Sequence, residues 1–282
     1  MKRVIGAAII LLAVCRPVIA APASPPARIM SLKLCTDELL MDLVPPERIA
    51  SISYLSREKA ALKIWPQAAG IPVNHNTAEE VLAAHPDLVL TDEYTTPAMR
   101  AVLARSGAKV VEVPAAGDFD QIRKVTRLVA DAVGARPRAK MLIAHMDDTL
   151  RRLAANAPRR IIRVAGWGGG GFVPGREGLF NSVLLAAGGQ SIAGGYYDVE
   201  SLIAARPDVL AYGDDYSDTP SLRRDQNVHP VLLKLFAGRR ITYPSALYGC
   251  GLPQSADAAA ALRTALTAAM RNPAPLRNGG LP

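Results

Sequence analysis

A segment that occurs twice constrains this chain more than any other feature. Residues 79–90 read EEVLAAHPDLVL and residues 200–211 read ESLIAARPDVLA, one in each half and about 121 positions apart. Each copy opens with a helix-start signal: Thr77 and Glu80 form a T-x-x-E capping box, and Asp198 stands where an N-cap side chain accepts a backbone N–H. A short helix must then stop before Pro86 or Pro207, because proline crowds the preceding residue out of the α region. The apolar stretches beyond, 88–90 and 209–211, suit strands buried on both faces. The duplication predicts two similar α/β lobes. Open α/β sheets bind ligands outside the carboxyl ends of their strands and pockets favour domain interfaces, so a ligand site is expected between the lobes.

The rest of the chain alternates in the same way. Strands are expected at 28–32, 49–52, 109–113, 160–165 and 240–242. Helices are expected from 37 to 44, from Thr96-Pro97, from Asp118 and over 179–187, with Gly188-Gly189 as a stop. Between the halves, residues 136–157 form a helical run without glycine, with Met141, Leu142, Ala144, His145, Leu150 and Leu153 as its expected apolar side. At 1.5 Å per residue such a run reaches about 30 Å, the width of a small domain. The fold class read from this pattern is α/β: two similar lobes joined by one long rigid helix, with a ligand cleft between them. The expected boundaries are an N-terminal lobe at 28–135, the linking helix at 136–157 and a C-terminal lobe at 158–282.

The first twenty residues read as a signal peptide: a basic start at Lys2-Arg3, an apolar run over 4–14 and small residues before Ala21. That run is short for a bilayer span, and Val14 before Cys15 fits a lipoprotein signal poorly. A disordered leader at 21–27 follows. Cleavage lowers the formal charge from +8 to +5. The basic residues are scattered, without a dense stripe interleaved with aromatics, so nucleic-acid binding is not expected. Two cysteines remain after cleavage, Cys35 and Cys250, and in an oxidising compartment an even pair favours a disulfide.

An exported two-lobed chain with one long linking helix and E-x-φ-φ-A-x-x-P-D-φ-φ in both lobes resembles the helical-backbone class of periplasmic substrate-binding proteins that feed ABC importers. Within that class it resembles the group that binds cobalamin, ferric siderophores and haem. The resemblance runs from about residue 28 to about 269 and rests on 30–39, 49–54, 160–175 and 243–253. It implies a periplasmic receptor, acting as a monomer, that captures a metal chelate or corrinoid and delivers it to a permease dimer in the inner membrane. It also implies that Glu79 and Glu200 dock onto the two permease subunits; the alternative is that each merely favours a helix N-terminus.

Ligand contacts are expected from loops after strands: Cys35, Thr36, Ser53, Tyr54, Asp92 and Tyr94 on the first lobe, and Trp167, Phe172, Tyr197, Asp215, Tyr248 and Cys250 on the second. The chain has few aromatics, and those at loop ends offer broad contact area to a large planar ligand at little entropic cost. Tyr54 and Trp167 lead this set; packing of loops onto the lobe cores is the competing role. The glycine run 168–171 lacks the Lys and Ser/Thr of a P-loop and reads as a cleft loop. His75, His85, His145 and His229 show no ligand spacing, and only His75 falls in a cleft loop, so no bound metal ion and no cofactor are expected. The implied cleft placement of Cys35 and Cys250 leaves three possibilities: an inter-lobe disulfide, a soft-metal site, or free thiols. No Ser/His/Asp set or cofactor fingerprint is present, so an enzyme is not expected; the rivals are a soft-metal or metallophore receptor and an exported α/β enzyme with an inter-lobe active site.

Overall fold

The computed structural model describes residues 24–167, 171–213, 229–243 and 246–271. The expected signal peptide and Asp215 lie outside the described residues, as does the side chain of Tyr248. The first lobe runs β1 (Ile29–Ser31), α1 (Leu34–Leu43), β2 (Ile49–Ser53), α2 (Lys59–Ile64), β3 (Val73–Asn74), α3 (Ala78–Ala84), β4 (Leu88–Asp92), α4 (Pro97–Arg105), β5 (Lys109–Val113) and α5 (Phe119–Val133). Helix α6 (Arg136–Ala155) follows. The second lobe continues with β6 (Ile162–Gly166), β7 (Phe172–Val173), α7 (Gly178–Ala186), β8 (Gly189–Ser191), β9 (Gly195–Tyr196), α8 (Val199–Ala204), β10 (Val209–Gly213), α9 (Pro230–Leu235), β11 (Arg240–Tyr243), α10 (Ala246–Gly249) and α11 (Ser255–Arg271).

Two parallel sheets result, ordered β3-β2-β1-β4-β5 and β11-β10-β6-β8, with a small antiparallel pair β7-β9 beside the second. In each sheet the strand of the repeated segment lies against the lobe's first strand, β4 on β1 and β10 on β6. That junction is where the order reverses direction, the switch point at which a crevice opens.

The repeated Pro-Asp has a structural role in both lobes. Asp87 Oδ2 accepts the backbone N–H groups of Ala27 and Arg28, and Arg28 Nη2 donates to Ala84 O. Asp208 Oδ2 accepts the N–H of Arg163, and Arg163 Nη2 donates to Ala205 O. One clamp thus ties the end of the repeat helix to the lobe's first strand, twice. The two N–H donors hold the Asp87 carboxyl below its usual range. The residue before each proline, His85 or Arg206, takes the left-handed conformation, φ 42° and 50°, which ends the helix sharply. The capping box at Thr77 and the Asp198 cap are both present.

Strand parity sorts the second core. Ile162, Val164, Val209 and Ala211 face α7 and α11, while Ala165, Trp167, Leu210 and Tyr212 share the opposite cluster with Leu202 of α8 and Leu232 of α9. Helix α6 buries Ala139, Ile143, Met146, Thr149 and Leu153. Of the expected apolar side only Leu153 is fully buried; Met141, Ala144 and His145 are exposed. The stripe is displaced because Ile143 and Met146 mesh with Ile122 of α5, Leu179 and Val183 of α7, and the Ala256–Ala259 face of α11. Both lobes meet on this helix, and α11 lies along it.

A second tie runs from the far end of the chain. Residues 250–254 leave the second lobe and lie on the first, with Cys250 and Leu252 in the first-lobe core beside Leu39 and Leu43. The contact at Gly251 is close: a Cβ there would sit 2.3 Å from Ala116 O. Cys250 is bonded to Cys35, with Cα atoms 5.1 Å apart.

Candidate functional site

The candidate site is built from residues at the carboxyl ends of the first sheet and from the β7-β9 pair beside the second. On the first lobe, Tyr54 directly follows β2 and stays 47% exposed. Its ring stacks on His75, which directly follows β3, with centroids 5.3 Å apart and planes 19° off parallel. His75 is held from behind by Glu80: Nδ1 lies 3.0 Å from Oε1, and the His75 N–H donates to Oε2 at 2.8 Å. Partial burial works against ionisation of Glu80, but the hydrogen bonds from His75 and Thr77 outweigh it and lower the carboxyl to about 2. The capping box of α3 therefore also fixes a histidine ring at the mouth of β3. With Nδ1 engaged, Nε2 is the nitrogen left to meet a ligand.

At the switch point, Lys33 enters α1 directly after the β1 edge and pairs with Asp92 at 3.4 Å. Asp92 Oδ1 also accepts the Tyr94 N–H and the Thr95 hydroxyl, which shapes the loop that leaves Tyr94 74% exposed. On the second lobe, β7 and β9 pair Phe172 with Tyr196, and these exposed rings lie 5.5 Å apart and tilted by 59°.

Several predicted contacts are placed elsewhere. Trp167 is a correction: it is 1% exposed in the second-lobe core. The strand ladder runs one residue past β6, through Trp167 N–H to Ala211 O, and parity turns the indole inward beside Ala165 and Leu210. Thr36 is buried, its hydroxyl bonded to Ser31 and to Lys33 O. Ser53 is buried as well: its N–H donates to Asp37 and its hydroxyl accepts the Leu55 N–H. Tyr197 turns inward, with its hydroxyl on Ala193 O; its neighbour Tyr196 is the exposed ring. Cys35 and Cys250 are bonded to each other, which removes the thiolates that a soft-metal site would need. Among the described residues no group of three or more His, Cys, Asp or Glu could hold a metal ion.

Reading by residue type missed His75 as Tyr54's partner, Tyr196 and Lys33. Tyr196 could have been found from parity, since adjacent strand residues face opposite ways. A cavity of about 420 Å³ lies away from these aromatics, between α5 and α6, lined by Arg127, Lys140 and Ile143 among others. Its carboxylates, Asp131 and Asp147, are already paired with Arg136 and Arg123. Glu79 and Glu200 occupy the same position, second in α3 and second in α8. Both are exposed, and no hydrogen bond or ion pair engages either among the described residues.

Comparison with known proteins gives a consistent picture. The sequence profile of the family described as periplasmic binding protein matches residues 29–197. A periplasmic haem-binding protein from Pseudomonas aeruginosa is 25% identical, with a TM-score of 0.67 over 86% of this chain and 92% of that one. The periplasmic haem-binding protein HutB of Vibrio cholerae is 17% identical, with a TM-score of 0.70 over 85% of this chain and 98% of that one. The periplasmic vitamin B12 binding protein BtuF of Vibrio cholerae is 17% identical, with a TM-score of 0.65 over 88% and 99%. No curated protein matches the chain in sequence.

Proposed function

The chain belongs to the periplasmic binding protein family, and from that membership we propose that it captures a planar metal chelate or corrinoid, a haem above all, and hands it to an ABC permease. The observation that carries this reading is the Tyr54–His75–Glu80 arrangement. A flat ligand needs a flat wall, and a metal with an open axial position needs a nitrogen whose direction is set. The stacked rings offer the first, and a carboxylate-anchored imidazole offers the second. Phe172 and Tyr196 offer a second apolar wall on the other lobe. Tyr94 extends the first wall, and Lys33 is a cation for an acidic ligand edge. Cys35 and Asp92 take part as structural neighbours of this cleft, through the disulfide and the Lys33 pair.

Delivery follows from the duplicated segment. Glu79 and Glu200 are equivalent carboxylates, one per lobe, on lobes joined by a continuous helix. Two fixed acidic points suit a two-fold permease with one basic patch per subunit. The receptor acts as a monomer in the periplasm after loss of residues 1–20, with its domains bounded at 28–135, 136–157 and 158–282, and it binds its ligand without consuming it.

The test is a spectral titration of the purified mature protein with ferric haem, cobalamin and a ferric siderophore. Haem is expected to bind one-to-one with a shifted absorption band. His75→Ala should remove the shift and weaken binding by about tenfold or more, at least the loss that removing a ligand's outer-shell partner brings. A band shift and affinity unchanged in His75→Ala would refute the assignment of His75.

A further inference from the structure

The first-lobe helix α1 carries three acidic residues, Asp37, Glu38 and Asp42, and two of them are sealed from solvent. Asp37 is partly satisfied, since its Oδ2 accepts from Ser53 N–H and the Ser56 hydroxyl. Glu38 is 1% exposed, and its Oε2 finds no hydrogen-bond partner among the described residues. Its position on the helix gives that isolation a meaning. Residues three and four apart share a helix face, so Glu38 lies between Cys35 and Asp42. Those two residues are the attachment points of the strap 250–254: Cys35 is bonded to Cys250, and Gln254 Nε2 donates to Asp42 Oδ2.

We propose that Glu38 is a proton-controlled latch beneath this strap: protonated, it lets residues 250–254 close over α1; ionised, it loosens every tie except the disulfide. The strap joins the second lobe to the first, so the latch sets how firmly the lobes are coupled. The charges that act on Glu38 sit on its own helix. Asp37 and Asp42 are both acidic, and Arg138 of α6 is spent on Asp42, whose backbone oxygen it also meets. The strap side offers Gln254 and apolar groups, and Trp65 donates to Asp42 without charge. Burial first, and then the neighbouring Asp37 and Asp42, push the Glu38 carboxyl up to about 8. Below that value the strap closes over a neutral acid. Above it, a buried anion faces two acidic neighbours with no cation set against it among the described residues, and the cheapest relief is to admit water under the strap.

The test compares the rate at which a phosphine reduces the Cys35–Cys250 bond in the wild type and in Glu38→Gln, from about pH 4 to about pH 9. The ratio of the two rates cancels the reagent's own pH dependence. It should lie near one below about pH 4.5, the ordinary value of a water-exposed Glu, rise by about tenfold or more between there and about pH 8, and level off above that, where the closed-state carboxyl is ionised as well. A ratio that stays constant across the range overturns the latch. Should Glu38→Gln not fold, infrared difference spectra of the wild type decide. Burial pushes the Asp37 carboxyl up as well, so the band is compared with that of Asp37→Asn. A protonated-carboxyl band that disappears around pH 8 in both proteins supports the proposal, and a spectrum unchanged between the two ends, or a band lost with Asp37, overturns it.

Discussion

At the scale of single residues, one motif serves several purposes at once. In E-x-φ-φ-A-x-x-P-D the Asp clamps the neighbouring strand and the residue before Pro ends the helix, so most of the motif is spent on holding each lobe together. Its leading glutamates, Glu79 and Glu200, are exposed carboxylates with no side-chain hydrogen bond or ion pair among the described residues, which is why docking is proposed for them. Replacing both by Ala should abolish permease-coupled uptake and leave ligand affinity within about twofold, because neither lies at a strand's carboxyl end. Each single change should give a partial defect, read by transport of labelled ligand into reconstituted vesicles. A double variant that loses ligand binding would remove the docking role. The site residues were less legible than the motif. Tyr54 has the exposed position after a strand that its place in the sequence implied. Trp167 was misplaced because the ladder continues past Gly166, and His75, the one histidine read in a cleft loop, was left out of the contact set because the four histidines lack ligand spacing, which reveals neither its stacking on Tyr54 nor its anchoring by Glu80.

At the scale of elements, capping and proline signals located the helices well. Thr77, Thr96, Asp118 and Asp198 all cap the helices they precede, since a side-chain oxygen three residues before a free N–H is a local matter. The buried face of α6 was not legible in the same way. Its apolar residues spread around the helix, and the choice between stripes depends on α5, α7 and α11, which come from distant sequence. The corrected stripe has a measurable consequence. Met146→Ala, at a fully buried position, should lower stability by about 2–5 kcal/mol in denaturant unfolding, while Met141→Ala, largely exposed, should stay within about 0.5 kcal/mol. Equal effects at the two positions would place the stripe wrongly.

At the scale of the whole molecule, the two lobes are joined among the described residues by α6, by the α11 face that lies along it, by the strap with its disulfide, and by Ser182 of α7, whose hydroxyl donates to Gly117 O. The two-lobed α/β plan was legible from the duplication alone, because a repeated helix-Pro-Asp-strand can only build the same unit twice. The pairing of Cys35 with Cys250 was one of three open possibilities, since bringing together residues 215 apart is decided by tertiary structure. Closing so long a loop stabilises by up to about 4–5 kcal/mol in the chain-entropy model. Replacing both cysteines by Ser should accordingly lower the thermal midpoint by several degrees in calorimetry, and alkylation of the intact protein should find no free thiol at either position. Free alkylation of both would break the strap's tie and the latch with it. The central claim, that these joined lobes hold a metal chelate or corrinoid, is tested most directly by native mass spectrometry of the mature protein recovered from the periplasm of its own cells. The account predicts a one-to-one adduct with the mass of a haem or related chelate, released intact on denaturation; an adduct of another chemical class, such as a sugar or an amino acid, would contradict it.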